Sequence, residues 1–400
     1  MLIRALIITA LAGLLGSTGA SAQTSMCGNT KLSCLLPTAF HTNPPTFNFF
    51  NEAFGTQIGQ LPLATPASGF TFTFDKKTAV YTASTESFGP LLAERAETIG
   101  RRKAYLAFTY QRFAFSDLDG NDLTNLPILF SFPSPQFPQV VTSTDNRVDT
   151  KIDQFVAFGT FGVTDRIDVS LAVPFERISM GASAKGTELC TACSAKAAFT
   201  EFIAGSASGV GDVVVSAKDT LLKRGRLGVA VGGEARFPSG DERNFLGSGA
   251  FGIKPYLVLS RRGKIAPHVN VGYQWNSNSA LATDQNGKEQ RLPGFFAYAG
   301  GADIGLSKRV TVVADLVGEH FFNAPQVSTP RSVTAKVNGQ LRAFSSLVLI
   351  NDSYGVNNLG VGLKANPWGH LLVTANALVK LDEGGLRARA IPLAGISYSF

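Results

Sequence analysis

The chain runs to 400 residues, of which 44% are hydrophobic and only 16% charged, with 41 Gly and 30 Phe. That length supplies one large domain. The formal net charge of +7 is spread over turns and alternating runs rather than clustered, which excludes a nucleic-acid footprint.

The N-terminus combines Arg4, an apolar run from Ala5 to Leu15, and Ala20-Ser21-Ala22 ahead of Gln23. A charged start, an apolar middle and a small-residue exit make residues 1–22 a secretory signal peptide. Its apolar run falls short of the roughly 20 residues a membrane-crossing helix needs. Thr24-Ser25-Met26 lacks the residues expected before a lipidated cysteine at Cys27. No later segment reaches about 18 uninterrupted apolar residues, so only a closed barrel can hold the exported chain in a membrane.

Residues 23–100 read as an N-terminal periplasmic or plug segment. The stretch 23–68 is rich in Pro, Asn, Thr and Phe without strand or helix period, and 69–83 alternates briefly as a small hairpin turning at Asp75-Lys76-Lys77. Leu91, Leu92 and Ala96 lie near helical spacing, which predicts a short helix over 88–99 starting after Pro90 and seated in the lumen. Four cysteines fall in local pairs, Cys27 with Cys34 and Cys190 with Cys193. In an oxidising compartment these read as two short disulfides. The alternative for Cys190-Thr191-Ala192-Cys193, a redox motif, needs a βαβ setting that is missing. His41, His268, His320 and His370 are too scattered to complete a zinc site.

From 101 to 400 the sequence predicts about twelve strands, near 102–115, 149–162, 165–179, 209–222, 226–238, 251–261, 264–276, 294–307, 309–322, 355–366, 369–381 and 386–400. The clearest alternation lies between Gly209 and Trp275. Leu227, Val229, Val231, Ala235 and Phe237 share one face, against Arg226, Gly228, Ala230, Gly232, Glu234 and Arg236 on the other. Either a soluble sandwich or a membrane barrel satisfies such a pattern. Gly, Ala and Ser alternating with isolated charges suit a crowded interior better than a solvated exterior, which favours a transmembrane antiparallel up-and-down β-barrel. Breaks such as Lys223 to Gly225 and Arg261 to Gly263 are short, whereas 116–148, 181–208, 239–250, 277–293 and 323–354 are long. Short periplasmic turns and long external loops give that rhythm, Asp382 to Gly385 excepted, and an even count puts both termini in the periplasm. In the last strand Ala394, Ile396, Tyr398 and Phe400 share a face. That ending resembles the terminal signal recognised on bacterial outer-membrane barrels, which makes the barrel-assembly machinery a partner.

Alternation predicts a lumen carrying Asp168, Glu176, Asp212, Glu234, Asp303, Asp315 and Glu319 beside Lys218, Arg236, Lys254, Lys364, Lys380, Arg387 and Arg389, with His268 on the same face. The signs nearly balance, so the lumen is knitted by ion pairs rather than ringed by one charge. Tyr110, Tyr273, Trp275, Phe295, Phe296, Phe321, Phe322, Trp368 and Tyr398 suit interfacial girdles. In the first external loop Leu126, Ile128, Leu129, Phe130, Phe132 and Phe137 form an apolar group that collects a hydrophobic solute or folds inward as a constriction. Asp117 to Asp122 looks like a calcium loop, but its glycine is misplaced and Ile128 stands where the final Glu belongs.

The runs RFPSGDERNFLGSGAFGIKPYLVLS (236–260), PHVNVGYQW (267–275) and GLRARAIPLAGISYSF (385–400), with SFGPLLAERAETIGRRK (87–103) and FAFSDLDG (113–120), resemble the MetA-pathway of phenol degradation family. The resemblance covers roughly 69–400. It implies a bacterial outer-membrane barrel passing small hydrophobic or aromatic molecules, without implying phenol itself or any catalytic or binding residue.

No nucleophile elbow, His-Glu-x-x-His or Walker loop is present, so no enzyme is expected, nor any metal or cofactor. The sequence thus describes a monomeric or loosely associated barrel in outer-membrane lipid, passively passing small hydrophobic solutes. The alternative is a structural or surface-interaction barrel with a closed lumen.

Overall fold

The computed structural model describes residues 31–35, 52–63, 71–75, 80–84, 86–90, 92–132, 140–190, 197–283, 288–337 and 339–400. Among them twelve antiparallel strands build a wall: β1 (Ala104–Leu118), β2 (Val140–Gly162), β3 (Ile167–Cys190), β4 (Val213–Arg224), β5 (Leu227–Phe237), β6 (Gly252–Arg261), β7 (Ile265–Asn276), β8 (Phe295–Ser307), β9 (Val310–Val327), β10 (Leu349–Ala365), β11 (Leu371–Lys380) and β12 (Ala390–Ser399). Each pairs with its neighbours in chain order, and β1 pairs with both β12 and β2, so the sheet closes without an edge. Closure satisfies every strand within the wall, the condition for spanning lipid.

The period of two sorts the side chains. On β3, Ile167, Val169, Leu171 and Phe175 are exposed outward while Asp168, Ala172 and Glu176 are buried inward. From Ile167 to Phe175 the apolar outward run covers about 27 Å along the strand, or about 20 Å along the barrel axis at the usual tilt near 40°. That is close to the height of a bilayer-facing band. Phe155 on β2 pairs with Phe175, and the next outward pair is Asp153 with Arg177, so polarity changes within one step. The molecule is therefore an outer-membrane β-barrel, apolar outside and polar within.

Beyond that step the wall continues as ribbon. The stretches 116–148 and 181–208, expected as open loops, are largely paired: Leu126–Phe132 runs along the start of β2, and Ala197–Val210 runs back along the end of β3. Hairpins Asn278–Thr283/Glu289–Arg291 and Arg331–Val337/Gln340–Ser346 rise from two other connections. In the β3 ribbon the alternation inverts: Ile178, Met180, Ala182 and Ala184 are buried inward while the outward residues between them are Ser and Gly, and small residues on both faces blur the period in the sequence. The small hairpin lies at Thr71–Asp75 and Val80–Ser84.

The expected helix over 88–99 does not form. Residues 86–90 and 92–100 run without helical hydrogen bonding, because wall side chains take up their backbone groups instead. One short helix occurs earlier, over 52–58, within the stretch read as irregular. Phe54 and Ile58 are four residues apart and fully buried. They join a core with Phe113, Ile152, Ile178 and Phe245. A Cβ on Gly55 would stand 2.6 Å from Leu281 Cδ1, so only glycine allows that approach.

The first described residues, 31–35, lie away from the short-turn end. Lys31 pairs with Asp241 at 2.6 Å, and Leu32 N donates to Asn244 Oδ1 at 3.1 Å, both in the long β5–β6 connection. Cys34 is disulfide-bonded and Cys190 closes β3; Cys27 and Cys193 lie outside the described residues. At the opposite end Phe400 N donates to Ala104 O. From residues 31–35 among the outer connections, the chain reaches β1 at the short-turn end.

Candidate functional site: the barrel lumen

The lumen is built in three levels. At the short-turn end, residues 86–100 are held by inward side chains from most of the wall. Lys364 on β10, 1% exposed, donates to the carbonyls of Phe88 (3.2 Å) and Pro90 (2.6 Å). Phe88 N donates to Thr311 Oγ1 on β9, and Ile99 N to Asp168 Oδ2 on β3, each at 3.0 Å. Lys218 on β4 pairs with Glu94 at 2.6 Å and donates to Arg95 O at 2.8 Å. Ala96 is held on both sides, its N donating to Ser260 Oγ on β6 and its carbonyl accepting from Thr220 Oγ1. Burying a bare backbone carbonyl costs free energy unless a donor meets it, and here cationic side chains provide the donors.

The centre of this level is Arg95. Its guanidinium bonds Asp303 on β8, which is 0% exposed, and Ser87. Asp303 also lies 3.5 Å from Nδ1 of His268 on β7, whose Nε2 is 2.9 Å from Asp315 on β9. A buried chain of Arg95, Asp303, His268 and Asp315 therefore joins the segment to three adjacent strands.

At the outer level the chain at 52–63 is fastened by amides. Gln57 bonds Tyr354 OH; Arg236 NH1 donates to Gly59 O at 3.1 Å; Asn276 Nδ2 donates to Gln60 Oε1 at 3.0 Å; Gln111 Nε2 donates to Pro62 O at 2.6 Å. Gln154 links Gln111 to Glu176, 2.8 Å away. Asp212, just before β4, ties the β5–β6 connection by accepting from Ser248 N and Oγ and from Gly240 N.

Between the two levels is a cavity of about 140 Å³. Leu61, Leu63, Leu92, Phe158, Val214, Phe295 and Val317 give it an apolar lining, and Glu234, Arg236, Lys254, Asn270 and Glu319 a polar one. Lys254 pairs with Glu234 at 2.7 Å. Gly232 leaves the space that the Tyr256 ring fills, since a Cβ there would collide with it.

Of the residues expected in the lumen, Asp168, Lys218, His268, Asp303, Asp315 and Lys364 gather at the short-turn level. Glu234, Arg236, Lys254 and Glu319 surround the cavity, and Glu176 and Asp212 lie near the outer level. Arg387 is buried, 3.3 Å from Asp382 and 3.1 Å from Asn358 Oδ1, while Lys380 joins Asp117 and Glu383. Arg389 is a correction: it is exposed, because the register shifts between Arg387 and Ala388 and the strand breaks before Ala390. Phe295 and Phe321 are also not girdle residues. They point inward, Phe295 against Phe321 and Phe321 stacked on Tyr354, whereas Trp275, Phe322 and Tyr398 face outward.

The apolar group of the first connection is no free loop. Leu129 packs against Val141, Leu189 and Val337, and its N donates to Ser346 Oγ at 3.0 Å. Phe130 and Phe132 belong to the same paired strand, and Phe137 lies outside the described residues. The carboxylates of the Asp117–Asp122 turn are similarly engaged. Asp119 accepts from Val327 N at 2.8 Å and Gly385 N at 2.7 Å, and burial pushes its pKa up to about 6 despite both bonds.

Sequence reading missed Arg95, Glu94 and the amides Gln57, Gln60 and Gln111. The available signal was Glu94-Arg95-Ala96-Glu97, charges in a stretch otherwise apolar, which a buried ion-pair partner would explain.

The family model described as "Putative MetA-pathway of phenol degradation" matches residues 131–382. Among solved structures, the chain is similar to the COG4313 outer membrane channel from Pseudomonas putida F1, at 11% identity over 76% of this chain and 98% of that one, TM-score 0.44. It is also similar to the NanC porin, at 9% identity over 73% and 98%, TM-score 0.40. A Pseudomonas aeruginosa FadL homologue aligns at 10% identity over 75% and 89%, TM-score 0.30. No curated protein matches this sequence.

Proposed function

The chain belongs to the MetA-pathway of phenol degradation family, and from that premise we propose that it is a passive outer-membrane channel for small hydrophobic or aromatic molecules. The observation carrying this reading is the cavity inside a closed wall, half apolar and half polar, between residues 52–63 and 86–100. In this reading residues 23–100, left after removal of the 1–22 signal peptide, are a plug. Passage requires one or both of its levels to move. The plug is docked through polar side chains on many strands, and the wall keeps its own ladder when the plug leaves.

Solute enters past the outer ribbons and rests in the cavity before leaving past 86–100. The inward charges act in structure and in docking the plug, not in catalysis. Membrane lipid covers the outer belt, and the terminal strand with Phe400 is the handle for the barrel-assembly machinery. The protein works as a monomer or loose homo-oligomer.

One observation favours a second reading. Hydrogen bonds and ion pairs hold both plug levels, which suits a closed structural barrel whose outer ribbons bind a partner. Flux through the mature protein, residues 23–400, in liposomes separates the two. Preferential passage of apolar solutes over sugars of similar size supports the channel. Absence of flux for every solute, with folded protein, supports the closed barrel.

A further inference from the structure

Glu319 stands apart from the other lumen acids. Asp303 and Asp315 share His268, Asp168 takes an amide of the plug, Glu176 takes Gln154, and Glu234 takes Lys254. Glu319, on the inward face of β9 between Val317 and Phe321, borders the cavity and accepts no hydrogen bond from any described residue. Its neighbours along the ladder offer none either: Ala297 on β8 and Val356 on β10 are its cross-strand partners. A half-buried carboxylate that borders a cavity, with apolar cross-strand neighbours and no donor among the described residues, has unused acceptor capacity.

We propose that Glu319 is the polar anchor of a solute subsite in the cavity, and that the solute it selects is an uncharged hydroxyl donor on an apolar body. The proposal rests on the channel reading above and names the chemistry of its cargo. The apolar body has its complement in Leu63, Leu92 and Phe158, across the cavity from the acid. The hydroxyl donates to the Glu319 side-chain oxygen, which has no other donor among the described residues. Neutrality follows from the rest of the lining. Arg236 and Lys254 border the same space, so an ammonium meets like charge there. A free carboxylate solute meets Glu319 itself.

The test uses purified full-length mature protein and three solutes of matched size: 4-propylphenol, its methyl ether, and the corresponding protonated benzylamine. Calorimetric binding in detergent reads the subsite, and liposome flux of the ether reads the channel. The wild type is expected to bind the phenol up to about tenfold more tightly than the ether, the usual worth of one hydrogen bond. Glu319→Gln, which keeps a neutral acceptor, should lower that ratio, and Glu319→Leu, which keeps none, should collapse it towards unity. Either variant serves alone if the other fails to fold as a heat-resistant barrel. An unchanged ratio in folded variants, or tighter binding of the ammonium than of the phenol, overturns the subsite even if the ether flows. Binding of the phenol with no flux of any solute overturns the channel and leaves the subsite standing.

Discussion

Replacing Arg95 by Met should open the barrel. Arg95 reaches the wall through Asp303, whose side chain is 0% exposed, and the Met variant leaves that carboxylate with His268 and Ser87 but no guanidinium beside it. Breaking one side of a buried ion pair costs about 3–5 kcal/mol, because the remaining charge stays buried without its partner. The strand ladder of β8 does not involve Arg95, so the cost falls on the docking of residues 86–100 rather than on the wall. Each 1.4 kcal/mol is a factor of ten, so the undocked fraction should rise by roughly 10²- to 10³-fold. Planar-bilayer recording would show this as frequent long openings in place of a closed baseline. Accessibility of a cysteine placed at Ala93 to a membrane-impermeant thiol reagent gives an independent reading. The double variant Arg95→Met, Asp303→Leu is the stringent control. An apolar pair of similar volume is often as stable as the buried ion pair it replaces, so closure should return towards wild type. If the single variant stays closed while folded, or the double variant opens further, the pair is not what holds the plug.

Lys364→Met removes the donor to the Phe88 and Pro90 carbonyls, leaving two buried acceptors unmet at about 1–3 kcal/mol each; the same recordings should show openings, with barrel melting nearly unchanged. Asp119 gives a pH dependence. Its folded pKa of about 6 lies above the ordinary carboxylate value, so the folded state binds the proton more tightly and stability falls as pH rises from about 4 to about 6. Thermal unfolding across that window should show a falling midpoint in the wild type and a flat one in Asp119→Asn; a midpoint rising through the window would contradict the assignment. Gly232→Val drives a side chain into the Tyr256 ring and should reduce or abolish solute binding in the cavity without unfolding the wall, checked by calorimetry and by heat-modifiable migration. Deleting 124–139 removes the strand that covers Val141, Leu189 and Val337, so the outer ribbons should become protease-sensitive; unchanged uptake of an aromatic solute would exclude that strand from solute entry.

The wall was legible because lipid imposes one rule on every strand. Wherever Ile167, Val169 and Leu171 must face hydrocarbon, the residues between them are free to be small or charged, and the period of two survives in the sequence. Above the Phe155–Phe175 pair the apolar side becomes the inward one, as at Ile178 and Met180, and small residues on both faces weaken the contrast, which is why ribbons such as Ala197–Val210 read as loops. Arg389 shows a narrower failure. One register shift at Arg387 reverses the face of whatever follows, and a shift leaves no mark in composition. Residues 86–100 were harder still, since a helix can be anticipated from its own periodicity but an extended plug cannot. Its order is written in the wall, in Lys364, Thr311, Ser260 and Thr220, hundreds of residues away in some cases.

That division explains why a lumen with balanced charge need not be an inert filler. The wall's inward acids and bases are mostly consumed by the plug and by each other, as Asp303 is by Arg95 and His268, and Lys218 by Glu94. What they do not consume is left facing the cavity, where a solute of any chemistry would have to compete for it. A solute that pairs with Glu319 gains an interaction there without displacing one the plug already makes. The same solute seated between Leu61 and Leu92 touches both plug levels at once. Binding there can therefore bias the plug only if the docked and undocked states hold the solute with different affinity. Arg95→Met supplies the discriminating case, because it shifts docking without touching the cavity lining. A solute that prefers the undocked state should bind this variant more tightly than wild type, whereas one that prefers the docked state should bind it more weakly. Equal affinity in both proteins would mean that the cavity and the plug are thermodynamically independent.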